Sequence, residues 1–332
     1  MNLKNRREIN HFASQRVSQS PSQKKIVVIY AALALGMAAL VTVLDYVLGL
    51  QVDNYGGLSN MGKKAMLSSV QSMLPFAQSL LTLCLDLGYL AAMMRVARGM
   101  YTSPQTLRLG FDRFWLLIRC SFFQGLIISG VMFACLYFGI MIYLMTPWSD
   151  AVVEIVMPLL SQTSALDTSI VIDDATYAAL MQAMVPAFAF CGLLALVVGG
   201  PVFYNYRMVN YIIVDKPAIG AMMALRESKR MMRGNRLALL KLDVSLWWYH
   251  LAVVLATVVC YGDILLPMLG VELPISGAVS FFVFYLLYLL ASFAVHYFLR
   301  NRAEVSYALA YDAVKPEEKQ DNGVVLGNIF QM

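Results

Sequence analysis

The chain has 332 residues, 60% of them hydrophobic and only 14% charged, with a net charge of +5 at pH 7. Soluble domains are closer to half apolar and a quarter charged, so this composition argues against an ordinary soluble fold. No basic-aromatic module of the kind that binds nucleic acid accompanies the positive charge. Composition therefore predicts a membrane-spanning protein and excludes a nucleic-acid partner.

Six apolar stretches have the length of membrane-spanning helices. At 1.5 Å per residue each can cross about 30 Å of hydrocarbon, whereas the strands of a membrane barrel are shorter and alternate in polarity. We expect an all-α integral membrane protein with six transmembrane helices plus cytoplasmic interfacial amphipathic helices. The predicted spans are Ile26–Leu50, Met73–Met94, Phe114–Met145, Met184–Tyr206, Leu237–Leu265 and Ile275–Leu299.

The basic residues indicate which ends of these spans face the cytoplasm. All of them except Lys63 and Lys64 fall before the first span, near the connections after the second and fourth spans, or after the sixth. Because cytoplasmic loops carry an excess of Lys and Arg, we expect a multi-pass protein of the cell membrane with both termini cytoplasmic. The predicted domains are an N-terminal tail at 1–25, a transmembrane domain at 26–300 and a C-terminal tail at 301–332.

A basic segment follows the fourth span and predicts an amphipathic helix. Arg226, Arg230 and Arg233 lie at i, i+4 and i+7 beside an apolar face, and Gly234 provides a helix stop. Two interpretations remain open. The helix lies in the membrane interface with its arginines on anionic lipid headgroups, or it is a cytoplasmic helix packed against loops. The apolar face contains Ala218, Ala221, Met222, Leu225 and Met232.

Polar residues inside the predicted spans are candidate functional residues, because such groups are costly in lipid. Asp86 lies near the middle of the second span and Arg119 near the inner end of the third. We hypothesise that these two pair, the alternative being that Arg119 extends to the headgroups while Asp86 finds another partner. The remaining candidates are Asn205 and Asn210, which follow a predicted helix break at Gly199, Gly200 and Pro201.

The central region resembles a known membrane family. The segment "YNYRMVNYIIVDKPAIGAMMALRESKRMMRGNRLALLKLDVSLWW" resembles the signature of the bacterial multi-pass family called domain of unknown function 975. "RREINHFASQRV" near the start and "YALAYDAV" near the end are similar to its two termini. The signature's usual Gly-His-Lys is replaced here by Gly234, Asn235 and Arg236. The resemblance implies a multi-pass membrane protein of unassigned activity and supplies no catalytic residues.

The sequence lacks the motifs of the common enzyme classes. It contains no phosphate-binding Walker loop, zinc-protease motif, nucleophile elbow or dinucleotide fingerprint. The five cysteines lie within predicted spans and lack ligand spacing. We therefore expect no catalytic residue, no metal, no cofactor and no enzyme activity.

Two functional classes remain. The basic segments favour a non-enzymatic membrane scaffold or lipid-interacting protein, whose partners are the lipid bilayer and anionic headgroups. Asp86 and the Gly199–Pro201 break instead suggest a transporter or export-associated protein, because a polar path through the bundle requires such groups. The sequence names no protein partner for either class.

Overall fold

The computed structural model describes residues 5–54, 61–162, 174–268 and 277–315, and these residues form helices and turns without any strand. Five helical segments are long and apolar enough to cross a membrane, and a bent helix pair could supply a sixth crossing. The all-α membrane fold expected from the sequence is therefore confirmed, with five to six crossings by length and composition. The segments are Ser22–Val52, Met61–Ala97, Phe114–Leu144, Ala175–Asp215 and Val279–Val314, and the bent pair is Arg236–Ser245 with Trp247–Cys260.

Fifteen α-helices, one 3₁₀ turn and two π turns make up the described parts of the chain. The first half contains α1 (Arg6–Gln19), α2 (Ser22–Asn54), α3 (Met61–Ala97), the 3₁₀ turn Pro104–Arg108, α4 (Leu109–Asp112), α5 (Phe114–Leu144) and α6 (Trp148–Gln162). Next come α7 (Asp174–Leu194), the π turn Ala195–Gly199, α8 (Gly200–Asn205), α9 (Val209–Asp215) and α10 (Ala221–Met232). The last part contains α11 (Arg236–Ser245), α12 (Trp247–Cys260), α13 (Gly262–Met268), α14 (Gly277–Val295), the π turn His296–Arg300 and α15 (Asn301–Val314).

At Gly199–Pro201, where the sequence predicts that the helix kinks or breaks, the helix continues through a π turn. Gly199 and Gly200 keep helical backbone angles, and the segment before Pro201 widens into the π turn Ala195–Gly199. A π turn relaxes the i to i−4 pattern that the proline ring and its missing N–H would disrupt. The helix is interrupted only afterwards, in the turn at Tyr206–Met208, which leads into α9.

The predicted span Leu237–Leu265 is bent. Helices α11 and α12 meet at 63° around Leu246, which caps both of them. Trp247 and Trp248 therefore begin a new helix. Trp247 is exposed there, whereas Trp248 packs partly against the buried core.

The crossing helices form two groups. In the first group α2 packs on α3 and α14, and α14 packs on α12. In the second group α5 packs on α7, which also contacts α6 and the π turn before α8. Among the described residues, the two groups meet through α3 against α5 and α9, and through α8 against α11. Contacts within each group are more extensive than contacts between the groups, and we call the space between them the cleft.

A single core joins the groups at one end of the molecule, which we call the basic end. Here α1, the last turns of α3, and helices α9, α10, α11 and α15 contribute fully buried side chains. Arg113, at the start of α5, donates hydrogen bonds to the carbonyl groups of Ile213 and Val214 at the end of α9. The crossing helices themselves expose many large apolar side chains, as expected for surfaces that face lipid.

Both predicted tails contribute helices to this core. Ile9 and Ala13, one turn apart on α1, are fully buried, and α1 packs along α15. On α15 the buried residues include Val305, Ala308 and Tyr311. The structure thus places the two described ends of the chain side by side at the basic end.

Two glycines allow the backbone of α3 to lie in direct contact with the backbones of the 3₁₀ turn and α4. A Cβ atom on Gly110 would lie 1.8 Å from the carbonyl oxygen of Cys84, and one on Gly88 would lie 2.2 Å from that of Leu107. Neither obstacle is a flexible side-chain end, so any larger residue must push two backbones apart.

Replacing Gly110 with Ala should destabilise the protein by about 1–3 kcal/mol, the usual cost of overpacking. The matched control is Gly125→Ala on α5, where a Cβ atom would meet nothing within 4 Å. That change should be neutral or slightly stabilising, because Ala favours helix over Gly by about 0.8–1 kcal/mol. Thermal unfolding in detergent measures both variants, and equal midpoints would contradict the close backbone contact.

Candidate functional site: a polar cavity between two helix groups

A charged cluster lies where the first helix group meets the basic end. Oδ1 of Asp86 on α3 accepts hydrogen bonds from Tyr30 Oη at 2.5 Å and from Arg300 Nη2 at 2.8 Å. Arg300 Nη1 also donates to Tyr30 Oη at 2.6 Å. Its guanidinium group lies over the rings of Tyr30 and Tyr89, 4.8 and 5.1 Å from their centroids. Aromatic faces and a carboxylate together stabilise this buried cation.

The hypothesis that Asp86 pairs with Arg119 is therefore wrong. The partner is Arg300, which the sequence analysis assigned to the segment after the last span. Arg119 instead borders a separate depression between α5 and the segment Pro217–Met223. The physical reason is the path of the chain, because α14 continues through its π turn and brings Arg300 back against α3.

The π turn His296–Arg300 fixes the charge state of this cluster. His296 Nδ1 lies 2.6 Å from the carbonyl oxygen of Ser292 and donates to it, while Nε2 accepts from Arg300 Nη1 at 2.9 Å. One ring nitrogen donates and the other accepts, so His296 is neutral. The positive charge here belongs to Arg300. Single π turns inside helices are frequent at functional sites.

A second charged cluster involves the turn between α8 and α9. Arg207 Nη2 lies 3.5 Å from Oδ1 of Asp243 on α11, whose Oδ2 accepts a hydrogen bond of 2.5 Å from Tyr204. The guanidinium group of Arg207 lies over the ring of Tyr307, 5.0 Å from its centroid. The hydroxyl group of Tyr307 is 3.4 Å from Nε2 of His250 on α12.

Glu304 on α15 lies between the two clusters and is held loosely. Its Oε2 accepts a hydrogen bond from Tyr211 at 3.2 Å, and its Oε1 is 3.8 Å from Arg300 Nε. Its side chain is only 20% exposed. By comparison, Asp86 and Asp243 each receive a hydrogen bond of 2.5 Å. Glu304 is thus the least satisfied of the three carboxylates.

The charges of this network do not cancel. It contains the carboxylates of Asp86, Asp243 and Glu304 but only the guanidinium groups of Arg207 and Arg300. With all five side chains ionised, one negative charge is in excess, and the contact distances assign it to Glu304. A partly buried charge of this kind is costly unless a counter-charge or proton meets it.

A cavity of about 400 Å³ lies beside Glu304, in the cleft between the helix groups. It is lined by residues of α3, α5, α8, α9, α12 and α15, so both groups and the basic end contribute to it. Polar groups converge on it from several sides, while aromatic rings form its walls. The lining residues with polar groups are Gln124, Tyr206, Arg207, Asn210, Tyr211, Tyr249, His250, Glu304 and Tyr307.

Two exposed apolar side chains stand at the rim of the cavity. Phe203 on α8 and Val253 on α12 border it from opposite helix groups and are 42% and 38% exposed. Both belong to segments whose length and hydropathy suit membrane crossing. An exposed apolar rim around a polar interior is suited to a ligand with a polar head and an apolar body.

The other sequence candidates have different positions. Asn210 lines the cavity, as just described, whereas Asn205 is buried and its backbone carbonyl accepts a hydrogen bond of 2.7 Å from Ser228. On α10, Leu225 and Met232 are buried in the core, so much of the apolar face packs on protein, while Met222 stays exposed. The three candidate arginines of the basic stripe, Arg226, Arg230 and Arg233, are all exposed.

A third charged cluster closes the basic end over the core. Arg98 pairs with Asp215 at 2.9 Å and with Asp312 at 2.7 Å, and Lys315 pairs with Asp215 at 2.6 Å. Hydrogen bonding to Asp312, together with the nearby charges of Asp312 and Asp215, raises the pKa of Arg98 above its ordinary value, although burial of the guanidinium group opposes the shift. Two cations here match two carboxylates, in contrast to the network around the cavity.

Sequence reasoning missed Tyr30, Arg207, Glu304 and Arg300 as site residues. Arg207 and Arg300 were read as basic residues flanking the spans, which is where the positive-inside pattern places most arginines. The available signal was the spacing of Arg300, Glu304, Tyr307 and Tyr311, because residues three or four apart share one helix face. The described residues contain no group of three His, Cys, Asp or Glu side chains that could hold a metal ion.

These features define an α-helical membrane protein with a polar cavity between two groups of crossing helices. The chain belongs to the family described as protein of unknown function DUF975, which matches residues 1–315. No curated protein and no solved structure shows detectable similarity to it.

Removing either partner of the Asp86–Arg300 pair should lower thermal stability in detergent. Because Asp86 is 39% exposed, each loss should fall below the roughly 3–5 kcal/mol typical of a fully buried pair. The variants Asp86→Asn and Arg300→Gln should together lose less than the sum of their single losses, with a coupling of about 0.5–3 kcal/mol. The matched cycle of Asp86→Asn with Arg119→Gln should be additive. Coupling in the second cycle and not in the first would contradict the observed pairing.

Proposed function

We propose that this protein is a non-enzymatic, lipid-interacting protein of the cell membrane. The observation that carries the proposal is the polar cavity whose mouth lies between lipid-facing helices. A membrane lipid that enters sideways can keep its chains beside Phe203 and Val253 while its headgroup meets the polar lining. The rigid core at the basic end then acts as a platform that holds both helix groups around the bound lipid.

A transporter is the second candidate, and one observation favours it. Each helix group contains one π turn, the charge network lies near the cavity between the groups, and intramembrane charges often mark substrate paths. Asp86 does not line the cavity, however, and α9 and α15 of the basic-end core form part of the cavity wall. Transport would require that core to open. Lipid binding requires no such rearrangement, which is why we prefer it.

Blocking the mouth of the cavity should reduce lipid binding. In Val253→Trp the larger ring would occupy the rim, and because Val253 is already partly exposed the fold should tolerate it. Native mass spectrometry of the detergent-purified protein should then show loss of at least one tightly bound phospholipid per chain.

The matched control for the mouth is Val254→Trp. Val254 is 56% exposed, lies next to Val253 on α12 and does not line the cavity. It adds the same ring to the same helix, so lipid retention should equal that of the wild type. If both variants retained the same amount of phospholipid, the proposal that the cavity holds lipid would be wrong.

We also propose that the basic end faces the cytoplasm, which puts both termini there, and that Arg226, Arg230 and Arg233 meet anionic headgroups. Their exposure on α10 and the distribution of basic residues support this orientation. Each arginine near the membrane surface should contribute about 1 kcal/mol of attraction to anionic lipid.

A single cysteine at position 226 tests orientation and contact together, in a background without the five native cysteines. In intact cells an impermeant thiol reagent should label Lys64→Cys and not Arg226→Cys, which should react only after lysis. A spin label at 226 should also report a depth at the headgroups that responds to anionic lipid. Labelling of position 226 from outside would reverse the orientation, and a label that tumbles freely in water would remove the headgroup contact.

A further inference from the structure

The excess negative charge at the cavity indicates the chemistry of its occupant. Asp86 is matched by Arg300, and Asp243 by Arg207. Among the residues that the structure describes, Glu304 has no cation within a short hydrogen-bonding distance, the nearest being Arg300 Nε at 3.8 Å. The neighbouring His296 is neutral for the reasons given above, so it supplies no compensating charge. A ligand that brings one positive charge to Glu304 would balance the network.

The lining distinguishes between kinds of cation. Glu304 Oε1 and Oε2, the amide oxygens of Asn210 and Gln124, and the hydroxyl oxygen of Tyr211 are all hydrogen-bond acceptors. A primary ammonium group has three N–H donors for such acceptors, whereas a quaternary ammonium group has none. Hydrogen bonds to charged groups are the stronger ones, so this lining favours the primary ammonium.

Arg207 and the apolar rim of the cavity indicate what the ligand carries besides its positive charge. Arg207 lines the same cavity, and its contact of 3.5 Å with Asp243 is long for a charge-assisted hydrogen bond. Its remaining N–H groups are suited to a phosphate. Because the rim is apolar and exposed, the ligand arrives from the lipid phase and leaves its chains there.

We propose that the cavity binds the headgroup of an aminophospholipid, with its primary ammonium on Glu304 and its phosphate on Arg207. This inference rests on the lipid-binding function proposed above. It adds the chemical class of the headgroup. It also makes Glu304 the residue that distinguishes ethanolamine from choline headgroups.

The test adds four phospholipids with identical acyl chains, one at a time, to the full chain in detergent. Native mass spectrometry then measures how much of each lipid stays bound. Their headgroups are ethanolamine, N,N-dimethylethanolamine, choline and glycerol. Retention should fall along the methylated series as N–H donors are lost. Ethanolamine should exceed choline by about tenfold, which corresponds to one charge-assisted hydrogen bond. Equal retention of ethanolamine and choline headgroups would overturn the proposal.

The variant Glu304→Gln keeps the size of the side chain and removes its charge. It should lose the ethanolamine preference while still retaining phospholipid, and unchanged preference would overturn the role of Glu304. Glu154→Gln is the matched control, because Glu154 is exposed on α6 and away from the cavity. Its preference should match that of the wild type.

A further variant keeps the test decisive if Glu304→Gln folds poorly. Glu304→Asp retains the charge, so its folded fraction should still prefer ethanolamine, and a folded Glu304→Asp protein without preference would count against the proposal. The outcomes also separate the two levels of inference. If Val253→Trp leaves lipid retention unchanged, lipid binding in the cavity itself fails. If Val253→Trp reduces retention but no headgroup preference exists, only the aminophospholipid assignment fails.

Discussion

The need to pair buried charges is the constraint that decides which helices become neighbours. Arg300 follows α14 and finds its carboxylate on α3, while Arg207 follows α8 and finds its carboxylate on α11. Each pair joins segments that are far apart in sequence. An unpaired arginine at this depth would be expensive, so the two pairs restrict the packing of the bundle more than the largely interchangeable apolar contacts do.

This pairing explains why the molecule is compact at one end and divided elsewhere. Lipid chains are as apolar as the helices they contact, so apolar surface alone supplies little force to draw crossing helices together. At the basic end the hydrophobic effect can drive packing, because α1, α10 and α15 bury apolar side chains in one core. Both helix groups are anchored there, and the cleft between them follows because the described residues form no equivalent core further along.

Features that depend on local composition could be predicted from the sequence, and features that depend on the chain path could not. Long apolar runs predicted the crossing helices. Gly234, with a φ of +89°, lies just after the end of α10, as expected for a helix stop. The bend at Leu246 carries no proline or glycine, and the polar sequence of α1 conceals the buried pair Ile9 and Ala13. The partner of Asp86 depends on α14 returning its far end to α3, which no local pattern encodes.

The π turn at His296–Arg300 also sets the rotational phase of α15. A π turn holds one residue more than the α-helical turn it replaces, and each residue of an α-helix turns the chain by about 100°. If the turn relaxed to regular α-helix, α15 would rotate by that angle relative to α14. Glu304 and Tyr307 would then leave the cavity wall together. A single extra residue in one helix therefore determines which face of α15 the cavity receives.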